Sequence, residues 1–401
     1  MKVFRSLRVK LVPALLAAIL LAAASSFLIG TCGPFTDVAA DVFCPFVLEI
    51  FYLGITTGTT ATTYDPAANV SRLQMAAFLS RTVDGTLKRG SRRAALDRFW
   101  TTQNAAVLGL TTVSSFPHGV ASDGADLWVA SSTAAVVSRV RASDGKLLET
   151  WTGASSAWEV LSAMGRVVVD STSNPGRLYT IDPAQPAGAV TTVATNLGGP
   201  ANGIAFDGAR VWTANGSSIS IVTPGAAPPW TVTTVTTGFG AVIGAVFDGS
   251  NVWMTDAVPS ASGPSPPLPD GFNSPGTLVK LNASGAILQS VTVGFTPQHP
   301  AFDGSNIWVP NTGSASVTVV RASTGAVLQT LTAGIAAPIS VAFNGERVLV
   351  TSGGTAITVW KAADLTPVGS FPIGTGSFGA CSDGINFWIT LISSTSSLAR
   401  F

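Results

Sequence analysis

The chain has 401 residues, of which 46% are hydrophobic and only 11% charged, and its formal net charge is +1. That balance leaves no electrostatic footprint for nucleic acid. The 41 glycines and 24 prolines favour turns and strands over helices, and the length suits one large domain with a small one beside it.

Residues 1–24 read as an export signal. Lys2, Arg5, Arg8 and Lys10 form the positive region, Leu11 to Ala24 is apolar, and Ala22-Ala23-Ala24 fits a small-residue cleavage site. Apolar character continues to Ile29, so an uncleaved anchor is the alternative, and it is the only membrane contact the sequence offers. The uninterrupted run is shorter than the roughly 20 residues a spanning helix needs, which favours cleavage. Export permits disulfides; Cys32 and Cys44 are close enough in sequence to pair, whereas Cys381 reads as a small core residue.

Residues 33–83 differ from everything after them. Asp41 can cap a helix carrying Phe46, Val47, Ile50, Phe51 and Leu53, with Pro45 in its first turn and Gly54 at its end. A turn-rich stretch with Gly58 and Asp65-Pro66 follows. Ser71 then caps a second helix, Arg72 to Arg81, whose apolar positions are Leu73, Met75, Ala76, Phe78 and Leu79. The segments Phe35-Thr36-Asp37-Val38, Phe43-Cys44-Pro45-Phe46, Gly54-Ile55-Thr56-Thr57-Gly58, Tyr64-Asp65-Pro66 and Val70 to Leu79 resemble, in order and spacing, one repeat of the S-layer homology (SLH) family. The resemblance implies binding to secondary polysaccharides of the bacterial cell wall, with Arg72 at the place of the family's binding arginine. Two features depart from the pattern: only one repeat is present, and Ser71-Arg72-Leu73-Gln74 lacks the acid of the family's Thr-Arg-Ala-Glu segment. Residues 84–100 form a basic connector with Lys88, Arg89, Arg92, Arg93 and Arg98.

From residue 101 to 401 a short unit recurs: a turn pair, then a strand with a large apolar residue. It reads Asp123-Gly124…Trp128, Asp207-Gly208…Trp212, Asp248-Gly249…Trp253, Asp303-Gly304…Trp308 and Asp383-Gly384…Trp388. Weaker copies occur at Ala163-Met164…Val168 and Asn344-Gly345…Leu349. The marker positions 128, 168, 212, 253, 308, 349 and 388 are 40, 44, 41, 55, 41 and 39 residues apart. Such steps suit four-stranded blades, so a mainly β fold is expected, a seven-bladed β-propeller. Asp-Gly supplies the positive φ of tight hairpins, and the tryptophans read as packing between blades. The seventh copy lacks a fourth strand, which Ala106 to Val113 is expected to supply, closing the ring and covering the sheet edges. The repeats resemble YVTN/NHL-type propellers of secreted bacterial proteins and, more loosely, the streptogramin lyase group.

In a propeller, the residues just before each first strand lie by the central channel. Here these are His118, Trp158, Asn202, Ile243, Gln298, Ile339 and Phe378, each followed by a neighbour that includes Glu159 and His299. Both histidines of the chain fall in this window. His118, Glu159 and His299 are therefore the candidate catalytic residues, able to transfer protons or hold a divalent metal, and Asn202, Gln298 and Arg72 are candidate ligand-binding residues. Alternation along a strand argues against convergence of His118 and Glu159. The insertion Val258 to Gly276, with its proline run 264–269, is expected on the same face as a lid or as a plain surface loop. No motif for a nucleophilic serine, a phosphate loop, haem or paired zinc ligands is present; Gly374-Thr375-Gly376 opens no helix and is not a dinucleotide fingerprint.

The sequence thus predicts an exported cell-envelope or extracellular binding scaffold, in contact with cell-wall polysaccharide or a protein partner, without nucleic acid and without a required cofactor. The rival expectation is a lyase- or hydrolase-like enzyme working at His118, Glu159 and His299.

Overall fold

The computed structural model describes residues 32, 34–38, 43–52, 55–79, 82, 109–257, 275–374, 376–392 and 396–401. The expected export signal over 1–24, Asp41, Leu53, Gly54, the connector 84–100, positions 106–108, Thr375 and nearly all of the 258–276 insertion lie outside the described residues. No helix among the described residues is long and apolar enough to cross a membrane. The chain divides into two compact units, Met1–Arg92 and Arg93–Phe401.

In the first unit, a helix runs over Cys44–Tyr52 and a second over 72–79. Cys32 and Cys44 form a disulfide with their Cα atoms 5.6 Å apart. The small core gathers Cys32, Phe35, Val38 and Val47, with Leu48, Phe51 and Tyr64 packed against it. Asp37 accounts for the Phe-Thr-Asp-Val segment: its carboxylate accepts the amides of Tyr64 at 2.9 Å and Asp65 at 2.7 Å, tying two distant turns together. Those two bonds hold its carboxyl below the usual range. Ser71 caps the second helix as expected. Its Oγ accepts the Gln74 amide at 3.2 Å, and Gln74 Oε1 accepts the Ser71 amide at 2.8 Å. This reciprocal capping needs an acceptor rather than a charge, so glutamine replaces the missing acid. The apolar face of the second helix is not buried as expected, because this core draws nothing from it: Leu73 is 84% exposed, and Met75, Leu79 and, in the first helix, Phe46 are exposed too.

The second unit is the seven-bladed propeller: seven four-stranded antiparallel sheets among the described residues. Blade five shows the pattern, with strands Ala301–Phe302, Asn306–Asn311, Ser316–Arg321 and Val327–Leu331. Blade seven takes three strands from the end of the chain and its fourth from Leu110–Thr112, where Leu110 faces Ala399 and Thr112 faces Ser397.

The Asp-Gly turns do more than turn. The glycines have positive φ, for example +95° at Gly304. Each aspartate also anchors its tryptophan five residues on. Asp303 Oδ1 accepts the amides of Ser305 and Asn306 at 2.8 and 2.6 Å, and Oδ2 accepts the Trp308 indole N–H at 2.7 Å. The same indole bond joins Asp123 to Trp128, Asp207 to Trp212, Asp248 to Trp253 and Asp383 to Trp388. Burial pushes the Asp123 carboxyl up, but the Trp128 indole and the amides of Asp126 and Ala125 together draw it below the usual range. A cation lies over four of these rings: Arg139, Lys280 and Arg400 of the third strands over Trp128, Trp253 and Trp388, and Arg210 of the Asp207 turn over Trp212. Each of these cations also donates to a turn carbonyl of the following blade, at Pro183, Ala283, Ala322 and Ser143 in turn. Sequence inspection missed this link because the cations lie on a different strand in three of the four blades.

The core is divided among the seams between blades. Seven clusters each join one blade to the next, such as Trp308, Val317 and Val319 of blade five with Val341, Val348 and Val350 of blade six. The seam that closes the ring brings Trp388 and Leu398 of blade seven onto Leu127, Val129 and Val140 of blade one. The tryptophans are therefore inter-blade packing, as expected. Cys381 is half-buried beside this last cluster, and burial keeps its thiol neutral by pushing its pKa up.

Candidate functional site

The first strands of several blades carry a one-residue bulge at one end. In blade one, Pro117 pairs with Ser131 and Val120 with Val129, leaving His118 and Gly119 between them. Blades two, four and seven repeat this at Trp158-Glu159, Ile243-Gly244 and Phe378-Gly379. A bulge re-aims side chains that strict alternation would separate, and so the expectation that His118 and Glu159 diverge does not apply.

The second bulge residue is glycine where blades meet most closely. A Cβ on Gly119 would lie 2.6 Å from Glu159 Oε2 and 2.7 Å from the Trp158 carbonyl oxygen. On Gly379 it would strike the His118 carbonyl oxygen, and on Gly203 that of Ile243. Glu159, His299 and Ser340 stand at the corresponding positions of blades two, five and six, and thus bring side chains to a place that is otherwise bare backbone.

These side chains converge. The His118 ring stacks on Trp158 with centroids 3.7 Å apart and meets Phe378 edge-on at 4.8 Å. Phe378 also approaches His299, at 6.1 Å. Glu159 Oε1 of blade two lies 3.7 Å from His299 Nδ1 of blade five, although these blades are not neighbours in the ring. His118, Trp158, Glu159, His299 and Phe378 therefore form one group where the first strands of blades one, two, five and seven approach one another. Asn202 and Gln298 are half-buried, and their side chains make no hydrogen bond to that group among the described residues.

Burial dominates the electrostatics. It pushes the Glu159 carboxyl up to about 8. It lowers His118 to about 4, and His299, which also feels His118, to about 4. At neutral pH the site therefore holds a protonated carboxylic acid beside a neutral imidazole, a proton donor facing a proton acceptor. Behind Glu159, Asp170 accepts its amide N–H at 2.7 Å. Among the described residues no group of three or more His, Cys, Asp or Glu is placed to hold a metal ion.

The first unit has a concave site of its own. A pocket of about 530 Å3 is lined by Thr56–Thr59, Tyr64, Asp65, Asn69, Gln74 and Phe78, among others. Arg72 is exposed on the first turn of the second helix and does not line it.

Comparison with known proteins agrees with this division. Residues 34–76 match the S-layer homology domain. The propeller is similar to a solved structure described as a streptogramin B lyase, at 14% identity and a TM-score of 0.57, covering 73% of this chain and 96% of that one. It is also similar to the hydrazine synthase of Kuenenia stuttgartiensis, at 14% identity and a TM-score of 0.58, covering 73% and 97%. At that identity the likeness is one of fold. No curated protein matches the sequence. The chain carries a single S-layer homology domain followed by a seven-bladed β-propeller.

Proposed function

We propose that this is an exported cell-envelope protein whose S-layer homology domain contacts cell-wall polysaccharide and whose propeller is a binding scaffold presented at the surface. The match over residues 34–76 carries the reading. The polar pocket supports it, because Tyr64, Asp65, Asn69 and Gln74 combine hydrogen-bonding groups with an aromatic face, the mixture that a sugar needs. Removing residues 33–83 is expected to abolish sedimentation of the protein with purified cell walls, while the isolated propeller still folds. Unchanged sedimentation would defeat the anchoring role. Arg72→Ala tests whether the arginine contributes alongside the pocket.

The convergence of Glu159 with His299 favours a second reading, a lyase- or hydrolase-like activity where they meet. There Glu159 would donate a proton to a leaving group and His299 or His118 would accept one. His299→Ala and Glu159→Gln should each then lower turnover by about 10²–10⁴-fold in a screen of hydrolase and lyase substrates, with the circular dichroism of the propeller unchanged. Turnover equal to wild type in both variants would leave the scaffold alone.

A further inference from the structure

Beneath Glu159 lies a latch between blades that three threonines reveal. Thr255, Thr351 and Thr390 occupy one position on the second strands of blades four, six and seven. Each Oγ1 accepts an amide from its own first strand, from Gly244 at 2.8 Å, Ser340 at 3.0 Å and Gly379 at 2.8 Å. Each also donates to the following blade, to the carbonyls of Gln298 at 2.8 Å, Phe378 at 2.6 Å and His118 at 2.7 Å. One hydroxyl thus accepts within its blade and donates across the seam.

In blade two the same position is Asp170, fully buried. Its Oδ1 makes the accepting half of the pattern, taking the Glu159 amide at 2.7 Å. Its Oδ2 is buried and has no hydrogen-bond partner among the described residues. The carbonyl equivalent to Gln298, Phe378 and His118 in blade three is that of Asn202, and a carboxylate cannot donate to it, whereas a carboxylic acid can.

We propose that Asp170 keeps its proton at neutral pH and uses Oδ2–H as the latch from blade two to the Asn202 carbonyl of blade three, doing the work of the three threonines while it holds the Glu159 bulge in place. The surroundings agree. Burial and the nearby Glu159 both push the Asp170 carboxyl up, against the pull of the Glu159 amide. The titratable group facing it is Glu159 on its own first strand, whose carboxyl in turn lies 3.7 Å from His299 Nδ1 of blade five. Segment 199–203 of blade three has no titratable side chain.

The pH dependence has a definite sign. An acid whose folded pKa is raised binds its proton more tightly folded than unfolded, so stability falls as pH rises from the unfolded value toward the folded one. The two histidines, lowered to about 4, act in the opposite sense and only below about 6.5. Between about pH 6.5 and 7.5, below the range in which the unfolded Cys381 thiol ionises, Glu159 and Asp170 remain, and Glu159→Gln removes the first. In full-length Glu159→Gln protein, the unfolding equilibrium constant is expected to rise with pH between about 6.5 and 7.5, by at most about tenfold. Adding Asp170→Thr should abolish that slope and leave the protein at least as stable at pH 8. Infrared spectra at pH 7 should show the C=O stretch of a protonated carboxylic acid in Glu159→Gln, lost on adding Asp170→Asn. An equal pH slope with and without Asp170→Thr, no such band, or failure of Asp170→Thr to fold would each overturn the proposal.

Discussion

Trp308→Ala is expected to destabilise the propeller by about 3–5 kcal/mol, the range for deleting a fully buried large aromatic side chain. Trp308 has no solvent exposure. It is packed with Val317, Val319 and Leu331 of its own blade and with Val341, Val348 and Val350 of the next. Alanine would leave a cavity on the seam itself, where both walls are rigid sheets with little scope to collapse. The loss includes a second component. Asp303 Oδ2 gives up the indole N–H, leaving it the Asn306 side-chain amide at 3.1 Å. Trp308→Phe separates the two effects, since it keeps most of the apolar volume and removes only the donor, and should cost about 1–2 kcal/mol. Denaturant midpoints of the two variants against wild type measure both. Trp308→Ala within 1 kcal/mol of wild type would mean that the seams do not hold the ring together.

Gly379→Ala should cost roughly 3 kcal/mol or more, beyond the usual 1–3 kcal/mol for overpacking, because the collision is with main chain that cannot rotate away. The added Cβ would be driven into the His118 carbonyl oxygen. That carbonyl already accepts the Thr390 hydroxyl at 2.7 Å, so the seam that closes the ring has no slack there. Pushing blade one outward also moves His118 off Trp158, whose rings are stacked at 3.7 Å. Indole fluorescence should therefore change together with stability. Gly384→Ala is the matched control. Gly384 has φ +88° and open space around its Cβ position, so only backbone strain of about 1 kcal/mol is expected. If the two variants lose stability equally, the close approach of the blades adds nothing measurable at Gly379.

Much of the architecture was legible in the primary structure, for a simple reason. A repeated unit that cannot bury its own face must stack, and a repeat marked by Asp-Gly and Trp fixes both the count and the register of the stack. The same logic placed Leu110–Thr112 in blade seven, because the last copy was one strand short. In the first unit, Ser71 showed as a cap, and the turn pairs and the two cysteines were visible. Exposure of Leu73 and Leu79 was not, because a helical stripe of apolar residues says which side is apolar and not whether anything covers it.

Local pattern in the chain itself determined the propeller, its seven blades and the S-layer homology segment, since each depends on residues near one another in sequence, and its point of closure, since the last repeat lacked a strand that the first had to spare. Folding alone decided the meeting of Glu159 with His299, 140 positions apart and in blades that face one another only once the ring closes, and of His118 with Trp158, which meet across the seam between two successive blades. Folding also decided the bulges that turn these side chains toward one another, the cations resting on the tryptophans and the buried carboxyl of Asp170. Each of these depends on the distance between adjacent sheets, a quantity that no stretch of sequence carries by itself.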